Sequence, residues 1–496
     1  MKLFKHILFL AVAALITACA SSVEHKELAI VPNPVSVEYE GRGVVFIPGQ
    51  VPELRTKVDT TLSEEEYILD TRNGGIVITG GSQSGIYWGA QTLRQITAQC
   101  QDGQIPGVLI KDKPAFSYRG AHLDCCRHFF TVKEVEEFID MIALHKINVF
   151  HWHLTDDQGW RAEIKSWPKL TEVGSQRSET LVGHYGSDQY DGIPYGGFYT
   201  QDQMREVVDY AAKHHITVIP EIEMPGHASA ALAAYPELGC EGKDYKVQTT
   251  WGVFPEVFCV GKEDTFRLLE SVLDEICDIF PSEYIHIGGD EAPRDAWKTC
   301  KDCQKLMKAQ GYESEAQLQS YLVDCIEKYL NAKGRRIIGW EEILEGGVST
   351  TATVMSWRGA DGGIAAAKLG NDVIMTPNSY FYLDYYQTDN PSQEPLAIGG
   401  CLPLDKCYSF NPFDGLDEEQ RAHIKGIQCN LWTEYIASFD HVQHMELPRL
   451  AALAEIAWSN DNRTDYDSFV SRVRQALLPM YEEYGYAYAP YAFEQK

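Results

Sequence analysis

Tyr284-Ile-His-Ile-Gly-Gly-Asp-Glu291 runs from an apolar strand pattern into two glycines and then two adjacent carboxylates. The apolar part reads as a buried parallel strand, and the glycines let backbone or a ligand approach closely. The carboxylates do not suit a core, because a buried ion needs a partner. The decisive point is that the pattern recurs along the chain. Further strand candidates cover 118–126, 148–155, 216–224, 335–342, 353–359, 372–377 and 424–434. Helical periodicity fills the gaps at 132–145, 202–215, 262–279 and 314–333, and a further helix is expected over 445–458. Eight strand–helix units predict an α/β fold, a (β/α)8 TIM barrel. The alternative, a doubly wound open sheet, lacks a glycine-rich nucleotide fingerprint after any strand.

Polar residues gather at the carboxyl ends of these strands: Asp124 and Arg127, His151, His153, Asp156 and Asp157, Glu221 and Glu223, Asp290 and Glu291, Glu341 and Glu342, Trp357, Trp432 and Glu434. In a barrel those ends converge on one face, the one that carries active sites. Adjacent acids at a strand end divide naturally into a proton donor and a fixed anion, the division that glycoside hydrolysis demands of its carboxylates. Trp340, Trp357, Tyr382 and Trp432 lie at or just after strand ends and supply walls for a sugar ring. His151-Trp-His153 with Asp156 and Asp157 also has the makings of a metal site, but the same residues serve equally to orient a substrate or tune an acid.

Outward from the barrel, residues 30–113 read as a small α+β domain. Its strands are expected at 44–47, 67–69 and 76–78, with a turn at Asn73-Gly74-Gly75 and a helix over 84–98. The barrel occupies 114–496. Residues 1–18 have the charged start and short apolar run of an export signal, and Ile16-Thr-Ala-Cys19 resembles the bacterial lipobox, with Cys19 the acylated residue and 19–29 a tether. The expectation is an exported protein, lipid-anchored through Cys19 to the bacterial cell envelope. With 496 residues and a formal net charge of −28, the chain repels nucleic acid.

The chain holds thirteen cysteines. Cys300-Lys-Asp-Cys303 has the spacing of a metal knuckle, but the sequence shows no second such pair or His pair, so structural zinc is not expected. Cys240 and Cys259 flank a loop and suit a disulfide in an oxidising compartment. Cys125, Cys126 and Cys429 read as buried packing residues.

Taken in order, Tyr118-Arg-Gly through Asp124-Cys-Cys-Arg127-His-Phe, Asn148-Val-Phe-His-Trp-His-Leu-Thr-Asp-Asp157, Pro220-Glu-Ile-Glu-Met-Pro-Gly-His227, His286 to Glu291, Gly339-Trp-Glu and Leu431-Trp-Thr-Glu434 resemble glycoside hydrolase family twenty, the β-N-acetylhexosaminidases. Gly85-Ile-Tyr-Trp-Gly-Ala-Gln-Thr-Leu93 is similar to that family's small domain. The resemblance implies retaining, exo-acting removal of terminal β-linked N-acetylhexosamine from glycans. In that scheme the substrate's own acetamido oxygen is the nucleophile, forming an oxazolinium ion.

The same resemblance implies that Glu291 is the general acid and base, that Asp290 orients the acetamido group and steadies its charge, and that Tyr382 holds the acetamido oxygen. His227 and Asp156 form a pair hydrogen-bonded toward the acid. Trp340, Trp357 and Trp432 line the pocket, Arg127 grips sugar hydroxyls, and Asp384 and Glu434 meet the far edge of the ring. No metal or organic cofactor is implied. One departure stands out, because many family members carry a further Trp between the last two strands, where this chain reads Leu396-Ala-Ile-Gly-Gly-Cys-Leu-Pro-Leu404. Rival expectations are a relative that releases a disaccharide, a catalytically silent glycan-binding lipoprotein, and a glycosidase with a carboxylate nucleophile.

Overall fold

The structure, a computed structural model, describes residues 27–48, 50 and 53–493. The expected signal peptide, Cys19 and most of the tether lie outside the described residues. The tether's end is different from the expectation: Leu28 and Ala29 are buried, and Gln99 holds the Ala29 backbone through its side-chain amide.

All eight barrel strands are present: Tyr118–Asp124, Val149–His153, Thr217–Glu221, Tyr284–His286, Arg336–Trp340, Thr353–Ser356, Val373–Met375 and Ile424–Leu431. They form one closed parallel barrel, the last strand pairing with the first from Gly426–Tyr118 to Leu431–Leu123. The barrel interior is layered. Near the amino ends it is filled by Tyr118, Val149, Ile219, Ile338, Met355 and Ile374. Towards the carboxyl ends His151, His153, Glu221, His286 and Gln428 replace them, all buried. Apolar packing therefore fixes one end of the barrel, and hydrogen bonding fixes the end that faces the site.

Two of the enclosing helices begin where their sequences place caps. Val132–Leu144 starts on a capping box of Thr131 and Glu134, and Gln201–Lys213 on one of Thr200 and Gln203. The single helix expected over 445–458 is instead two, Phe439–Glu446 and Arg449–Ser459. Pro448 has no backbone N–H to continue the ladder, so the apolar periodicity carries across a break.

The small domain is a five-stranded sheet ordered Ser36–Tyr39, Val108–Asp112, Tyr67–Asp70, Ile76–Gly80, Leu54–Val58, packed against the helix Gln83–Gln99. Val44–Val45 stands apart from it and pairs with Gln104–Ile105. The domain meets the amino-terminal face of the barrel through buried charges. Lys146 donates to Asp112 Oδ2 at 3.0 Å and to the Tyr67 hydroxyl at 2.9 Å, and the Trp458 indole donates to Asp112 Oδ1 at 2.9 Å. Arg119, on the first barrel strand, forks onto both oxygens of Glu65 at 2.6 and 2.8 Å. Among the described residues, no helix is long and apolar enough to cross a membrane.

Candidate active site

At the polar end of the barrel the Glu221 carboxylate is enclosed by imidazoles. His153 Nδ1 lies 2.5 Å and His151 Nε2 3.1 Å from Oε2, and His286 Nδ1 lies 2.9 Å from Oε1. The Trp340 indole also donates to Oε1, at 2.7 Å. Burial opposes charging His153, but Glu221 and Asp156 on its two sides push its pKa up to about 10, whereas burial depresses His151 to about 4. His153 thus sits as a cation between two anions, with Asp156 2.8 Å from its Nε2.

Asp156 in turn takes Arg127 Nη2 at 2.9 Å and faces His227 Nδ1 at 3.2 Å. His227 Nδ1 is closer to Asp157, at 3.0 Å, so the carboxylate support expected from Asp156 alone is shared by two neighbours. Burial disfavours the charged His227 ring, yet Asp156 and Asp290 together raise its pKa well above the ordinary value. Its other nitrogen, Nε2, stands 3.5 Å from Asp290 and 3.6 Å from Glu291. One imidazolium therefore faces both acids at the end of the Tyr284–Glu291 stretch.

The backbone there is held in unusual conformations. Glu291 has φ +45° and His227 φ +49°, two of four non-glycine residues with positive φ among those described. Such conformations are retained where surrounding structure enforces them, commonly at functional sites. Gly288 has φ +65°, and a Cβ there would lie 1.7 Å from a Glu223 oxygen. The glycine in the motif is thus explained by a buried acid that the sequence places at the preceding strand end. Burial, with Asp290 and Glu221 nearby, raises the Glu223 pKa well above the usual carboxylate range.

Around the two acids lies a cavity of about 190 Å³ lined by Arg127, His227, Trp357, Tyr382, Asp384 and Trp432, among others. Trp357 and Tyr382 are stacked at 6.0 Å and 19°, and Trp432 lies 6.3 Å from Tyr382. Burial keeps the Tyr382 phenol protonated and hence a donor. Trp340, expected in the pocket wall, is 1% exposed and packs against Trp432 at 6.0 Å behind the residues that line the cavity, because its indole is drawn inward to Glu221. At the opposite edge, both oxygens of buried Asp384 and one of Glu434 have no protein partner. Burial and the neighbouring Glu434 raise the Asp384 pKa, so this edge offers donors and acceptors to a ligand's hydroxyls. Arg127 is stacked 5.1 Å over Trp432 and ties this edge to Asp156.

All the singled-out site residues from Arg127 to Glu434 thus meet at one end of the barrel. Three contributors had no assigned role: Asp157, Glu342, which accepts the Trp357 indole at 3.0 Å, and Ile398 in the cavity wall. Ile398 belongs to the 396–404 stretch that lacks the Trp, so an aliphatic group stands in that wall. Burial and Asp290 push the Glu342 pKa up to about 7.

The disulfide expected between Cys240 and Cys259 needs correction. Cys240 and Cys259 are not bridged to one another; they join Cys300 and Cys303 in a single cluster. The second pair that a metal knuckle requires comes from a distant loop, which sequence spacing does not reveal. Cys125, Cys126 and Cys429 are buried, as packing residues are.

Comparison with known proteins gives a consistent picture. The description "Glycosyl hydrolase family 20, catalytic domain" matches residues 116–461, and "Glycosyl hydrolase family 20, domain 2" matches 33–113. A β-hexosaminidase of Porphyromonas gingivalis is 49% identical over 85% of this chain and 54% of its own length. One from Vibrio furnissii is 39% identical over 80% of this chain and 66% of its own. The chain thus spans between half and two thirds of these relatives. The crystal structure of an exo-β-N-acetylglucosaminidase from Vibrio harveyi with N-acetylglucosamine superposes with a TM-score of 0.81 at 32% identity, covering 93% of this chain and 78% of that one.

Proposed function

Since the chain belongs to glycosyl hydrolase family 20, we propose that it is a retaining exo-β-N-acetylhexosaminidase that removes terminal β-linked N-acetylglucosamine or N-acetylgalactosamine by substrate-assisted catalysis. The observation that carries this reading is the meeting of Asp290, Glu291 and Tyr382 in one ring-sized, aromatic-walled cavity. Its volume slightly exceeds the ~150 Å³ in which an apolar cavity encloses one benzene ring.

The sugar lies between Trp357 and Trp432, with its non-reducing edge on Arg127, Asp384 and Glu434. The acetamido carbonyl oxygen, held by the Tyr382 hydroxyl, attacks the anomeric carbon while Glu291 protonates the departing glycosidic oxygen. Positive charge appears on the resulting oxazolinium ring, and Asp290 meets it at the acetamido nitrogen. Water then attacks the anomeric carbon, gives its proton to Glu291 and reopens the ring with retained configuration. His227, held by Asp156 and Asp157, keeps both acids in place through the cycle. A preorganised anion in a water-poor site is the largest single contribution available here. The leaving group exits on the far side of Glu291, where a second cavity of about 370 Å³ is bounded by Glu291, Arg294, Glu342 and Arg358.

Hydrolysis of paired aryl β-glycosides tests the proposal. Activity on the N-acetylglucosaminide but not the glucoside, blocked by a thiazoline analogue of the oxazolinium ion, is expected. Equal activity on both would establish a carboxylate nucleophile instead. We also propose lipid anchoring to the cell envelope, supported by Ile16-Thr-Ala-Cys19; labelled palmitate should enter the wild-type chain and not Cys19→Ala.

A further inference from the structure

Cys240, Cys259, Cys300 and Cys303 converge from two separate segments, and their four sulfurs all lie within 4.8 Å of one another. Cys259 Sγ is 3.5 Å from Cys300 Sγ and 3.6 Å from Cys303 Sγ, and Cys240 Sγ is 3.9 Å from Cys303 Sγ. Zinc–sulfur bonds of about 2.3 Å at tetrahedral angles place sulfurs roughly 3.8 Å apart, within the 3.5–3.9 Å range of these three pairs. Two disulfides would pair the sulfurs off, whereas Cys259 is equally near to two of them. Cys259, Cys300 and Cys303 are buried, so water does not satisfy them.

The surrounding backbone is shaped to this cluster. Cys259-Val-Gly-Lys262 turns back on itself, with the Lys262 amide donating to the Cys259 carbonyl at 3.2 Å. A Cβ at Gly261 would lie 2.2–2.5 Å from backbone atoms of Asp302 and Cys303, so the two cysteine turns press face to face and only glycine fits. Cys300 caps the helix Lys301–Gln310 and Cys303 sits in its first turn. The positive end of a helix favours thiolates at both positions.

We propose that these four cysteines form a tetrathiolate site for one structural zinc ion, fastening the loop after the third barrel strand to the segment that follows Glu291. Binding releases the thiol protons to solvent and needs no redox partner. The link to the active site is short. Phe258, next to Cys259, donates its amide to the Pro225 carbonyl at 3.0 Å, two residues before His227. Its carbonyl accepts the Trp297 indole, also at 3.0 Å, six residues beyond Glu291. The ion thus holds in register the two loops that bring His227 and Glu291 together.

The test is metal content of the purified full chain by mass spectrometry, with thiol titration by a mercurial in the presence of a zinc indicator. One zinc per chain, released as four thiols are consumed, is expected. Cys259→Ser and Cys303→Ser should lose the metal, while Cys401→Ser, at an exposed cysteine outside the cluster, should keep it. If the cluster variants do not fold, cobalt exchange into the wild-type chain decides: a tetrahedral four-sulfur spectrum is expected, and any other overturns the assignment. Peptide mapping that finds disulfides among the four, or free thiols that take up no zinc, would also overturn it. In the metal-free chain kcat should fall more than tenfold, with KM little changed, because loop register rather than the sugar wall is disturbed.

Discussion

Replacing Asp290 by Asn removes one charge and almost no volume. In the proposed reaction the charge matters late, because the substrate's acetamido group is neutral when bound and cationic only as the oxazolinium forms. The Asp290 side chain is 12% exposed, so its field is only partly screened. At about 4 Å and an effective dielectric constant of about 20, one charge pair is worth ~4 kcal/mol. By transition-state arithmetic that is roughly a thousandfold in rate. The loss should fall on kcat, with KM within about threefold of wild type, since only the transition state feels it. Para-nitrophenyl N-acetyl-β-glucosaminide provides the assay, and affinity for a thiazoline inhibitor provides a second reading that should weaken in parallel. A loss below tenfold, or one carried by KM with kcat intact, would refute the role of Asp290 as the anion opposite the intermediate.

Glu291→Gln should slow glycosides with poor leaving groups by about 10²–10⁴ and activated aryl glycosides far less, as a missing general acid does; equal losses on both series would count against the assignment. Gly288→Ala forces a Cβ onto Glu223 and adds roughly 1–2 kcal/mol of left-handed strain. Its melting temperature and its kcat should both drop, and unchanged kcat would show that the glycine does not position the acids. Glu446 is buried behind the last strand with a pKa pushed up to about 8. The folded state holds that proton after the unfolded chain has released it, so stability is lost as pH rises from the ordinary carboxylate range to about 8. The slope is at most about 1.4 kcal/mol per pH unit. Glu446→Gln should flatten that slope in urea titrations, and an unaltered slope would show that another group causes it.

The barrel was legible because each of its strands is a short apolar run with polar residues at its end, a signal that local pattern carries in full. The acids at 290 and 291 were legible for the same reason. What escaped the sequence depends on contacts between distant segments. Leu54–Val58 pairs at the sheet edge with mostly exposed side chains, so it has no apolar alternation to betray it. Asp157 supports His227 from 70 residues away, and Glu342 became a partner only when the barrel brought it under Trp357. The cysteine cluster is the clearest case: a rule based on spacing sees Cys300 and Cys303, but not the pair that the fold delivers to them.

The buried charges beneath the barrel bear on how the two domains depend on each other. Lys146 and Arg119 belong to the barrel, yet their carboxylates, Asp112 and Glu65, come from the small domain. A barrel produced alone would lose both counter-ions and would open Lys146, Arg119 and the apolar surface packed around Trp458 to water. The small domain is therefore a counter-charge built into the chain. The two units should unfold in a single transition, and a chain beginning at residue 114 should be insoluble when expressed, although the groups proposed for catalysis would all be present in it.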